Sequence, residues 1–125
     1  MAKKMMLVVL FVLLLVVAFY QNFFLEKNAV YFITEVEEVE YHISSSSYDI
    51  ALDEAMRLFQ TWKKTKPQYE LICEHDEVDK IHAAFEEFII LISQENELAL
   101  TQSALLKYYY DHIVNIDSFS FENIF

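Results

Sequence analysis

Residues 5–25 read MMLVVLFVLLLVVAFYQNFFL, with Lys3 and Lys4 just ahead of them. From Met5 to Tyr20 no side chain is charged or strongly polar. Gln21 and Asn22 interrupt the run, Phe23, Phe24 and Leu25 extend it, and Glu26 ends it. As a helix these roughly 20 residues rise about 30 Å, enough to cross the hydrocarbon core of a bilayer. Lys3 and Lys4 favour a cytoplasmic amino terminus by the positive-inside rule, which sends residues 26–125 to the extracytoplasmic side. A cleaved signal needs a small-residue site after its apolar core. Val16-Val17-Ala18 is the candidate, but it lies within the run with Phe19 and Tyr20 directly behind it, so an uncleaved anchor over residues 1–25 is the preferred reading. A cleaved signal and a secreted domain is the alternative.

Residues 26–125 are the size of one small domain. Seven of the nine Lys and Arg but all twenty Asp and Glu fall there, which leaves that part at −13 against −11 for the whole chain. Such a surface repels phosphate backbones, so nucleic acid is not an expected partner. The chain has no glycine and one proline. Without glycine the tight I′ and II′ hairpin turns are disfavoured, which points away from a β-meander and towards helices. Phosphate-cradling glycine loops are excluded.

Ala29, Phe32, Ile33, Val36, Val39 and Ile43 recur at three- and four-residue steps, with Glu35, Glu37, Glu38 and Glu40 between them. That is an amphipathic helix, which no breaker separates from the apolar run. Ser44 to Ser47 suit a turn, and Ser46 with Asp49 has capping-box spacing. A second helix carries Leu52, Ala55, Met56, Phe59 and Trp62, closing on Lys63, Lys64 and Lys66 where cations suit the helix dipole. Pro67 predicts a break, and Gln68 to Glu74 a connector. His75-Asp76-Glu77 opens a third helix with Val78, Ile81, Phe85, Phe88, Ile89 and Ile92 on its core face. Ser93 to Asn96 forms a turn. A fourth helix carries Leu98, Leu105, Tyr109, Ile113 and Ile116, and Ser118 to Phe125 is an apolar tail expected to dock on the bundle. Ala51-Leu52 and Leu58 recur 48 residues later as Ala99-Leu100 and Leu106. The expected fold is all-α: a transmembrane helix leading into an antiparallel bundle of about four helices, or two stacked TPR-like hairpins.

Trp62, the block His75-Asp76-Glu77-Val78-Asp79 and the ending Asn123-Ile124 resemble the bacterial family called domain of unknown function 4363. The resemblance covers nearly the whole chain. It implies a membrane-associated helical protein, with a YetF-like membrane protein as a candidate partner. It carries no catalytic motif.

Two groups of residues are candidate sites. His75, Asp79 and His82 fall at i, i+4 and i+7 on one helical face, with Cys73 close by, and these are ligand types that hold zinc or a similar ion. The plainer reading gives His75 and Asp76 to the helix start and makes His82 a boundary residue. Tyr108, Tyr109 and Tyr110 point about 100° apart on a helix and cannot all enter one core. Either the tail covers the rings left outside or those exposed rings bind a partner. Cys73 and His75 lack an orienting third group, and no cofactor motif is present, so no enzymatic activity and no cofactor are expected. The expected function is a membrane-tethered protein–protein interaction module on the outer face of a bacterial membrane. The alternative is a cation- or ligand-sensing domain.

Overall fold

The computed structural model describes the backbone of residues 1–124 and the side chains of residues 1–116. Four helices succeed one another: α1 (Ala2–Ser44), α2 (Tyr48–Ile72), α3 (His75–Ser93) and α4 (Leu98–Ile124). There is no strand among the described residues. α1 packs on α2 and α4, and α3 packs on the same two, so the helices form a closed square. Short connections make each helix antiparallel to the one before it. In stacked repeats α1 would lie on α3; its packing on α4 instead makes this a four-helix bundle and not a pair of stacked hairpins.

α1 is one helix of 43 residues, about 65 Å long. Its first part is exposed on nearly every side, and residues 2–24 include none that is buried. Its second part buries Leu25, Ala29, Phe32, Val36, Val39 and Ile43. Those steps of four and three keep one stripe turned to the other helices. Leu25 is fully buried, so the bundle begins on the last residue of the apolar run. No linker lies between the two parts.

The turns after α1 and α3 are built in the same way. The Ser46 N–H donates to the Ile43 carbonyl and the Ser47 N–H to that of His42; Glu95 and Asn96 donate likewise to Ile92 and Leu91. Ser46 (φ 59°) and Glu95 (φ 52°) are left-handed. This is the Schellman arrangement, with Ser and Glu where glycine is usual. The turns thus repeat at 49 residues and the helices after them at 48, where Ala51 and Ala99, Leu58 and Leu106 are all buried. The expected capping box at Ser46 does not form: Ser46 is the left-handed residue, and Ser47 is the N-cap without a side-chain cap bond.

Pro67 does not break α2, which runs on to Ile72. Trp62 and Tyr69, seven residues apart and both fully buried, hold the turns on either side of it against the core. The connector therefore shrinks to Cys73 and Glu74. Lys63, Lys64 and Lys66 lie inside the helix and not in its last turn, so the dipole argument for them fails. α4 continues through Ile124 where a separate tail was expected; the docking of its side chains lies outside the described residues.

Each helix sends aromatic rings to the centre. Phe32 of α1 stacks on Tyr110 of α4 at 4.9 Å and meets Trp62 of α2 edge-on at 6.0 Å and Phe85 of α3 at 6.1 Å. All four are fully buried. Edge-to-face and stacked contacts of this kind add to the hydrophobic gain of burial.

Candidate functional site

The predicted metal-ligand set is dispersed. Cys73 caps the end of α2, half-buried, its N–H donating to the Tyr69 carbonyl. His75 is the first residue of α3 and is exposed, as is Asp79. His82 is turned inward. Its Nδ1 accepts a hydrogen bond from Trp62 Nε1 at 3.2 Å, its Nε2 lies 3.5 Å from Glu86, and its ring packs on Phe59 at 5.2 Å. A buried indole N–H needs an acceptor, and His82 supplies it. The shared helical face does not bring the donor atoms together, because this imidazole is engaged elsewhere.

The tyrosine triplet diverges as three consecutive helical residues must. Tyr110 is fully buried, Tyr109 is half-buried, and Tyr108 is exposed and stacked on His112. Tyr110 belongs to the core and is not open to a partner. Its hydroxyl is buried without a hydrogen-bond partner among the described residues. Tyr69, by contrast, donates to Asn28 Oδ1 at 2.8 Å. Burial pushes the Tyr110 phenol well above its ordinary pKa, with Tyr69 beside it adding to the shift. Burial raises Tyr69 in the same way, reinforced by Cys73.

Among the described residues the His, Cys, Asp and Glu donors that converge are Glu38, His42 and Glu54, whose ligand atoms all lie within 4.8 Å of one another. Glu38 and His42 are one turn apart on α1. Glu54 comes from α2, its Oε1 3.3 Å from His42 Nε2. An open groove of about 370 Å³ adjoins this cluster, lined by Tyr31, Glu35, Glu38, Glu54, Arg57, Leu58 and Thr61. Three carboxylates face it against one guanidinium, and Arg57 is already bonded to Asp53 at 3.1 Å. The groove is therefore a place where positive charge is favoured.

The spacing of Glu38 and His42 is visible in the sequence, but Glu54 reaches them only through the α1–α2 pairing. The signal that could have found it is position: His42 and Glu54 stand on either side of the serine turn, at matching heights of an antiparallel hairpin. A second polar group has a structural role. Glu40 of α1 accepts hydrogen bonds from Lys107 Nζ at 2.8 Å and from the buried Ser103 hydroxyl, both of α4. It pins the seam that closes the square.

A family model described as Domain of unknown function (DUF4363) matches residues 19–124, the bundle and the end of the apolar run. No curated protein and no solved structure matches the chain.

Proposed function

The chain belongs to the DUF4363 family, and from that premise we propose that it is a non-enzymatic, membrane-tethered interaction module. Its bundle stands on the outer face of a bacterial membrane and receives a basic segment of another membrane or extracytoplasmic protein. The observation that carries this reading is the α1–α2 groove, where Glu35, Glu38 and Glu54 surround Tyr31 with one paired arginine among them. The anchor reading is supported by α1, which has the length and apolarity to cross a bilayer. The orientation is supported by Lys3 and Lys4 ahead of the span. The interior is filled by aromatic rings, so a partner meets this protein at its grooves.

A second reading is favoured by one specific geometry. The donor atoms of Glu38, His42 and Glu54 sit close enough to share a cation, and one imidazole with two carboxylates suits zinc. The two readings separate by residue. Glu35 lines the groove but is not in the three-residue cluster; His42 is in the cluster but does not line the groove.

The test places a photo-cross-linking p-benzoylphenylalanine at Tyr31 in native membranes. An interaction module gives a discrete adduct that Glu35→Lys abolishes and His42→Ala leaves in place. An adduct indifferent to Glu35→Lys, or none at all, overturns it. The cation reading instead gives a melting temperature that zinc raises, with the rise lost in His42→Ala and kept in Glu35→Lys.

A further inference from the structure

The register of α2 against α1 fixes the height of the α2–α3 corner. Trp62 faces Phe32, Tyr69 faces Phe24 at 5.9 Å, and the Tyr69 hydroxyl reaches Asn28. In an antiparallel pair each step forward along α2 is a step back along α1. Leu71 and Ile72 therefore stand level with residues about 21 to 26 of α1, at the end of the apolar run and close to Phe23, Phe24 and Leu25. Leu71 is 86% exposed, more than any other large hydrophobic residue of the bundle among the described residues. A lone exposed leucine is ordinary on a soluble surface, so what singles out Leu71 is its height, level with the end of the apolar run.

The surroundings set how deep it can go. Tyr20 and Phe23 on α1 are exposed close to that height, and Lys27 lies over the Phe23 ring at 5.8 Å. Aromatic rings with a neighbouring lysine are common at the headgroup boundary. Glu74, His75 and Asp76, exposed just beyond Leu71, are too polar for the hydrocarbon centre. Lys66 stays near Glu70 one turn back. A single apolar tip with polar flanks fits the boundary between headgroups and acyl chains.

We propose that the α2–α3 corner is a second membrane contact, in which Leu71 inserts at the headgroup boundary of the bilayer that α1 crosses. The inference rests on reading α1 as a membrane span. Its occupant is lipid, because the register sets the corner level with the exposed apolar surface of α1. Two points of attachment then fix the tilt and rotation of the bundle, and with them the direction in which the acidic groove faces.

The test uses the full chain in phosphatidylcholine–phosphatidylglycerol vesicles, in a Cys73→Ala background whose melting matches the parent. Single cysteines at Leu71, Val9 and Leu98 carry an environment-sensitive fluorophore, and lipids carry a nitroxide either near the headgroup or deep in the acyl chains. Leu98, 60% exposed, marks the opposite end of the bundle. The expected result is loss of most Leu71-label fluorescence to the shallow nitroxide, loss of Val9-label fluorescence to the deep one, and no quenching at Leu98. An unquenched Leu71 label with a quenched Val9 label overturns the corner contact and leaves the span intact. A blue-shifted but unquenched Leu71 label means protein covers it, which also overturns the proposal. Equal quenching at Leu71 and Leu98 does so too. An unquenched Val9 label removes the span and the corner contact together.

Discussion

The two halves of α1 are both rich in apolar residues, yet they use them differently. From Met5 to Leu14 every side chain is exposed, whatever its direction on the helix. From Leu25 to Ile43 the buried residues keep to one stripe, Leu25, Ala29, Phe32, Val36, Val39 and Ile43, while Glu26, Val30, Glu37, Glu38 and Tyr41 stand outside. A helix that is apolar all round asks for an apolar solvent; one with two faces asks for a protein on one side and water on the other. The lesson is that one continuous rod changes character partway along, and the change is written in periodicity more than in hydrophobicity. The absence of a break between the halves passes the direction of the first half directly to the bundle.

The sharpest contrast comes from the same truncation on either side of Leu25. Phe32→Ala removes the ring at the centre of the aromatic core and is expected to cost about 3–5 kcal/mol of folding stability. Phe11→Ala, at a position 60% exposed, is expected to leave bundle stability within about 0.5 kcal/mol. Denaturant unfolding followed by Trp62 fluorescence in lipid nanodiscs reads both. Equal losses would break the distinction. A charge probes the other side of the contrast: Val12→Arg is expected to cost about 2.5–3.5 kcal/mol of insertion and to make the chain easier to extract from membranes. Val30→Arg, on the exposed side of the second half, is expected to leave extraction unchanged.

Smaller effects sharpen the account of the core. Tyr110→Phe removes an unpartnered buried hydroxyl and is expected to raise stability by about 1 kcal/mol, whereas Tyr69→Phe leaves Asn28 without its donor and lowers it by about as much. The pair also makes stability depend on alkaline pH. Both phenols are raised in the folded state, so the stability they hold is fully present below the unfolded tyrosine value of about 10 and is lost as pH climbs past it. Unfolding midpoints measured above that pH should fall, and fall less in Tyr110→Phe. Smallest of all, Glu95→Gly relieves a left-handed residue at the end of α3 and is expected to add up to about 1 kcal/mol in the same denaturant assay.

Legibility in the sequence tracks the range of the forces involved. The stripe from Ala29 to Ile43 and the face from Val78 to Ile92 are local periodicities, and both face the core as expected. The serine run reads as a turn, but the left-handed residue inside it does not, because no glycine marks the place. Pro67 misleads for a different reason. A lost backbone hydrogen bond is a local cost, and the burial of Trp62 and Tyr69 that outweighs it is tertiary. His82 carries the signature of a ligand, yet its partner is the Trp62 indole twenty positions away. The cluster at Glu38, His42 and Glu54 is out of reach for the same reason, since its third member arrives across a hairpin.

The central claim is that α1 runs unbroken from lipid into the bundle core. Single cysteines placed in turn at residues 5–43, in native membranes and in a Cys73→Ala background, can be tested for reaction with a water-soluble maleimide. The account predicts uniform protection through the first half, then protection recurring at Leu25, Ala29, Phe32, Val36, Val39 and Ile43 with reactive positions between them. Free reaction or a helical periodicity before Phe19 would contradict it, since a segment surrounded by lipid has neither a wet face nor a dry one.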